Sequence, residues 1–373
     1  MARLAALLLT LAISLTAVSS ASAAHGMEIG LQDDAVFLYQ SYYNRDLALQ
    51  QAKQLGVTRL RVNVLWNRVA SAQERQRTAP AQVIYSWWPY DSIVDTAAAY
   101  GIKVQMTVSG PAPAWANGRH RADIHAGAYK PGARLFGQFV HDVATHFKGR
   151  VDRYSIWNEP NWPGWLAPYK SAPRLYASLY RAGYGAVKSV DPSAQVLFGE
   201  LAPQARRGKS LAPLTFLRQA TRHAHFKADG LAHHPYAFNV SPTSRAGGKN
   251  DVTMGTLGRL TKLLHKLAHQ RKLRTPRGGS LPVYLTEFGY FARGPRALRA
   301  GRRAKYLRKG FQIALHNRSV REMTQYTLVA PPKRTDWDTS LVSRGGRPSS
   351  VFSSLRAWTR RALGVGSIAR APR

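Results

Sequence analysis

Eight times over, a short apolar run is followed by a longer stretch with helical apolar spacing, and this alternation limits the fold more than any other feature of the chain. The strand candidates are 28–31, 57–65, 102–108, 151–157, 195–199, 230–234, 283–288 and 323–328. Helices are expected at 45–55, 91–100, 133–147, 172–190, 213–224, 255–270, 297–316 and 349–362, with Gly56, Gly101, Gly149 and Pro192 among the residues that punctuate the junctions. Strict strand–helix alternation produces a parallel sheet, and eight units close it into a single (β/α)₈ TIM barrel. The doubly wound alternative lacks its fingerprint, because no G-x-G-x-x-G turn follows the first strand. A single barrel accommodates a chain of 373 residues, and no linker, repeat or appended module interrupts it. The expected organisation is a leader over 1–23, a barrel over 24–363 and a short, basic, mobile tail over 364–373.

The leader has the form of a secretory signal: Arg3, the apolar run from Leu4 to Val18, then Ala21-Ser22-Ala23 as an A-x-A cleavage site. That run is too short for a stable membrane span, and no later stretch is long and apolar enough to cross a bilayer. The expectation is an exported protein, extracellular or associated with the cell wall. The chain has no cysteine, which rules out disulfides, thiolate catalysis and cysteine metal sites.

Lysine and arginine number 54 against 19 acids, a formal net charge of +35 that loss of Arg3 with the leader barely changes. Such a charge favours anionic partners, and non-specific adhesion to anionic wall polymers is expected. The basic residues are densest in 258–277 and 293–310, which read as outward faces of helices. Neither segment has the interleaved aromatics of a single-strand binder or a recognisable nucleic-acid module, so no specific nucleic acid is implied.

A barrel places catalytic groups at the C-terminal ends of its strands. The stretch YSIWNEPNWPGW (154–165) sets Glu159 just past the fourth strand, among Trp157, Trp162 and Trp165. Glu287 in VYLTEFGY ends the seventh strand, and Glu200, after the fifth, is the only other glutamate in a comparable position. Strands four and seven of a closed eight face each other across the mouth. Two carboxyl groups over one pocket are what cleavage of a glycosidic bond requires: one protonated to serve the leaving oxygen, one ionised to attack carbon or activate water. Aromatic surroundings and a neighbouring carboxylate raise the first pKa, and an arginine or hydroxyl donor lowers the second. The aromatics near Glu159, Trp162 among them, are also candidates for sugar stacking.

The WNEPN and TEFG strand ends resemble those of the clan A retaining glycoside hydrolases, the group that includes families five and thirty-nine. The resemblance implies that Glu159 is the acid/base, that Glu287 is the nucleophile, and that their carboxyls lie about 5–5.5 Å apart. It also implies that Asn158 bonds the sugar 2-hydroxyl and that Arg61, in RVNVLW, stands near the nucleophile, with Trp66 a further substrate contact. HHPY matches the H-x-Y of strand six, giving His234 and a Tyr236 hydroxyl aimed at Glu287. Two positions depart from the pattern. Where many members carry a tryptophan at the end of strand eight, this chain has Tyr326, with Trp337 in the loop beyond. The end of strand three offers Trp115 where some family-five enzymes have a histidine.

His265 and His269 are spaced i, i+4 without the glutamate of a zinc motif, and His120 and His125 read as a solvated loop. No G-x-S-x-G elbow or phosphate loop is present, and no metal or organic cofactor is implied. The reading is a secreted retaining glycoside hydrolase acting on an oligo- or polysaccharide. A non-hydrolytic carbohydrate-binding barrel, or a polyanion-binding protein whose charge is its function, is the alternative.

Overall fold

A computed structural model describes residues 26–118, 127–332 and 337–371; the leader with its A-x-A site, His120 and His125 lie outside the described residues. Eight parallel strands close into a barrel: β1 (Glu28–Gln32), β2 (Arg59–Leu65), β3 (Lys103–Ser109), β4 (Arg153–Ile156), β5 (Gln195–Leu201), β6 (Gly230–His233), β7 (Val283–Phe288) and β8 (Val320–Tyr326). Each pairs with its neighbours in sequence, and β8 returns to β1 in a register running from Glu28↔Glu322 to Gln32↔Tyr326. The principal helices follow the strands in order: α1 (Arg45–Gln54), α2 (Trp88–Ala99), α3 (Ala133–His146), α4 (Ala172–Val190), α5 (Pro213–Ala220), α6 (Leu257–His269), α7 (Ala300–Leu315) and α8 (Ser350–Gly364). The expected (β/α)₈ TIM barrel is the observed fold.

Strand β2 shows how the sequence builds the site. Leu60, Val62 and Val64 join the apolar shell beneath the helices, while the alternate residues Arg59, Arg61 and Asn63 point the other way, into the barrel. At the N-terminal end of the barrel, Arg59 pairs with Glu28 at 2.9 Å, and Arg153 bridges Glu28 at 2.6 Å and Glu322 at 2.7 Å. This ionic floor stands where barrels of this kind usually stack branched aliphatic side chains. The next inward position up β2, Arg61, reaches the mouth.

The helices carry the remaining core. On α6, Leu257, Leu260, Leu264 and Leu267 are buried at helical spacing, each contributing about 1.5–3 kcal/mol, while His265 and His269 face outward. Asn44 caps α1 by accepting from the Leu47 amide at 2.9 Å. No helix among the described residues is long and apolar enough to cross a membrane.

Two features depart from the sequence reading. Phe226–Lys227 and Leu273–Arg274 form a small parallel sheet outside the barrel, its strands too short to leave a periodic pattern. The chain beyond α8 turns back instead of trailing off: Ile368 is buried and bridges Met27, and the Ala369 amide donates to the Met27 carbonyl at 3.0 Å. Burial of Ile368 against Met27 covers the base of β1.

Candidate active site

Just past β4 the backbone enters the left-handed region twice, at Trp157 (φ 70°) and Glu159 (φ 38°), a conformation held only where its surroundings require it. The Trp157 indole is fully buried and donates to the Trp165 carbonyl at 3.0 Å, and the Asn158 amide donates to Ser109 Oγ at 2.9 Å. Gly110 makes room for this wedge, because a Cβ there would stand 2.6 Å from the Trp157 ring. Anchored in this way, the turn delivers Asn158 and Glu159 to the mouth of the barrel. Glu287 reaches the same place directly from β7.

Arg61 and His234 bind the carboxylates together. Arg61 donates to Glu287 Oε1 at 2.9 Å, to Asn158 Oδ1 at 2.8 Å and to Glu200 Oε1 at 3.1 Å; it also contacts Gln32 and the second Glu200 oxygen. Tyr236 donates to Glu287 Oε2 at 3.0 Å. His234 Nδ1 lies 2.9 Å from Glu159 Oε1 and 3.7 Å from Glu287 Oε2, and its Nε2 faces Glu200 Oε2 at 3.6 Å. Because one nitrogen meets both, these oxygens of Glu159 and Glu287 lie within about 6.6 Å of each other, close enough for both carboxyls to serve one glycosidic bond.

Burial works against charge on His234, but Glu287, Glu159 and Glu200 outweigh it and raise its pKa to about 9, so both ring nitrogens carry protons at neutral pH. Burial would likewise push Glu200 up, yet Arg61 and His234 hold it at about 2. Glu287 corrects an expectation. Its arginine and tyrosine donors are in place, but burial dominates, Glu159 and Glu200 add to it, and the net direction is upward despite His234 and Arg61. Three carboxyls share two buried cations, and one proton among the three brings the cluster to neutrality.

The aromatic candidates divide. Trp162, Tyr326 and Trp337 line a cleft of about 460 Å³ together with Asn158, Glu159 and Glu287. Trp337 packs on Tyr236, ring centroids 5.5 Å apart. Trp66 and Trp115 do not reach the cleft. Trp66 is fully buried and stacked on Phe139 at 5.3 Å, and Trp115 meets it edge-on at 5.5 Å, so both are core residues between the barrel and α3. The chain turns helical at Trp66 directly after β2, which swings the indole outward under α3 instead of over the mouth.

Sequence reasoning passed over several lining residues. Asp33 and Asp34 border the cleft at the end of β1, where burial raises their pKa values to about 7 and about 6. Asn63 donates to Asp34 at 2.8 Å. The consecutive acids after a strand candidate were a usable signal in so basic a chain. Arg296 belongs to the basic segment expected on a helix exterior, yet it precedes α7 and lines a cavity beside Glu159.

No known protein-family model matches the chain, and no curated protein sequence matches it. Solved structures share its fold. A family 39 glycoside hydrolase from Bacteroides cellulosilyticus WH2 is 18% identical with a TM-score of 0.65 over 90% of this chain, which spans 63% of that protein's length. A glucosidase from Croceicoccus marinus is 14% identical, TM-score 0.64, over 91% of this chain and 68% of its own. A monomeric β-xylosidase from Caulobacter crescentus CB15 is 16% identical, TM-score 0.60, over 90% of this chain and 68% of its own. The chain is thus similar in architecture to family 39 barrels, in keeping with the likeness of its strand-end motifs. Identities this low speak for the fold, and the activity rests on the site.

Proposed function

We propose that the protein is a glycoside hydrolase that cleaves O-glycosidic bonds with retention of anomeric configuration. The observation that carries the reading is the convergence of Glu159 and Glu287, from opposed strands, on the single nitrogen His234 Nδ1 inside one aromatic-walled cleft. In the first step Glu287 attacks the anomeric carbon as the bond to the leaving oxygen breaks, and Glu159 delivers its proton to that oxygen. In the second, Glu159 takes a proton from water as the water oxygen attacks the same carbon and releases Glu287. Arg61 and Tyr236 hold both Glu287 oxygens, which orients the nucleophile. Asn158, held by Arg61, faces the cleft where a sugar hydroxyl would lie, and Trp162 and Trp337 offer stacking faces.

The substrate class is an oligo- or polysaccharide or a simpler glycoside, and the leader and the charge support export with adhesion to anionic wall polymers. The test is to assay the purified mature protein against a panel of aryl glycosides and glycans, following the first-formed anomer by NMR. Hydrolysis with retained configuration is expected; an inverted product would overturn the double displacement, and no cleavage of any glycoside would leave a sugar-binding barrel in its place.

A further inference from the structure

The cleft reverses its electrostatic character at Glu159. Toward Glu287 it is bordered by Asp33 and Asp34. Beyond Glu159 it continues as a second cavity of about 420 Å³, which shares Trp162 and Trp337 but is lined by Arg206 and Arg296, with Gln204 and Asn239 between. The arginines come from loops after different strands, β5 and β7, and both are exposed. Arg206 lies over the Trp162 ring at 4.9 Å and Arg296 over the Phe238 ring at 4.7 Å. Stacking holds a guanidinium in place and leaves its in-plane N–H donors available.

Of the four other stacked arginines among the described residues, Arg68 lies over the Tyr39 ring and Arg181 over the Phe226 ring, and two serve internal ion pairs. Arg150, over Phe147, pairs with Asp91 at 2.6 Å and Asp95 at 3.2 Å, and Arg153, over Tyr284, pairs with Glu28 and Glu322. Arg206 and Arg296 have no carboxylate partner among the described residues. Two oriented, uncompensated forks in one cavity are suited to an oxyanion from outside.

The acid of a glycosidase touches the leaving oxygen, and this cavity touches Glu159 but not Glu287. Resting on the glycosidase reading, we infer that the second cavity receives the leaving group and that Arg206 and Arg296 select one bearing an oxyanion, a carboxylate or a phosphate ester. The substrate would then be an acidic glycan or conjugate cleaved so that its anionic portion departs.

Phenyl and 3-carboxyphenyl glycosides of the sugar the protein accepts have leaving groups of nearly equal acidity, so a difference between them reports recognition. At low salt kcat/KM for the carboxylate is expected to be higher by about tenfold or more, and in the Arg206→Gln/Arg296→Gln double variant the ratio should fall to near one. A readout without turnover runs alongside: 3-hydroxybenzoate and phenyl phosphate, with phenol as neutral control, titrated against tryptophan fluorescence. Their relative affinities distinguish a carboxylate source from a phosphate ester, and the double variant should lose both. If glycosides are cleaved with no preference and neither anion outcompetes phenol, the anion site is overturned and the glycosidase reading stands. If the anions bind in an arginine-dependent way while no glycoside is cleaved, the anion site stands and the glycosidase reading falls.

Discussion

His234 Nδ1 sits 2.9 Å from Glu159 Oε1, so the proposed acid/base is itself bonded to a buried ring with a pKa near 9. A histidine whose folded pKa lies above its ordinary 6.5 contributes stability that is full below pH 6.5 and is lost as pH rises through about 9. Chemical denaturation of the protein should show that loss between pH 6.5 and 9.5, and His234→Gln should flatten this part of the profile. Parallel curves for the two proteins would mean that the ring is neutral.

Substitution of the two carboxylates should separate their roles. Glu287→Ala is expected to reduce turnover to near background, with azide restoring it as a glycosyl azide of inverted configuration. Glu159→Ala should lower kcat/KM about 10²–10⁴-fold on glycosides with poor leaving groups and far less on activated ones, which need little protonation. Ordinary activity in both variants on a natural glycan would place the chemistry elsewhere.

Glu200 is fully buried and touches no part of the cleft surface, yet it accepts from Arg61 and from Thr107 Oγ1 at 3.0 Å. Glu200→Gln removes the charge that helps hold both Arg61 and His234. The expected result is lower kcat, a downward shift of the upper limb of the pH–rate profile as His234 becomes easier to deprotonate, and a stability loss of about 3 kcal/mol. An unchanged pH profile with the same stability loss would reduce Glu200 to a purely structural part.

Arg153 in the barrel floor predicts a different outcome. Arg153→Met leaves Glu322, fully buried, without its cation, and should lower unfolding free energy by about 3 kcal/mol in urea titration. The floor lies at the opposite end of the strands from Glu159, so KM for a small glycoside should hold in the folded fraction. A stability change under 0.5 kcal/mol, within the range of ordinary surface substitutions, would show that the floor tolerates the loss of its arginine.

The net charge of +35 should bring strong, salt-sensitive retention on an anionic matrix, falling steeply between low and physiological ionic strength. Turnover of a small neutral glycoside should change little over the same range. A parallel collapse of both would mean that the charge acts on catalysis itself.

The alternation of strand and helix was legible because burial against a shell of helices imposes local periodicities, and all eight strands lie where apolar runs marked them. Glu159 and Glu287 were legible for the same reason: a barrel sends strand ends to one face, and this chain has few acids to place there. Strand β2 was harder to read, since nothing in the order Arg59, Arg61, Asn63 says which of the three meets the floor and which the cleft.

Local pattern and strand order were thus enough to read the architecture and the arrival of two glutamates at one mouth. The rest depends on distances between residues far apart in the chain, which exist only once the barrel is closed. Trp66 left the site because the backbone turned helical at that residue and packed its ring on Phe139. Asp33, Asp34, Arg206 and Arg296 entered it because loops after β1, β5 and β7 meet over one mouth. The direction of the Glu287 pKa was settled by burial among other carboxylates, a many-body balance that no spacing along the chain records.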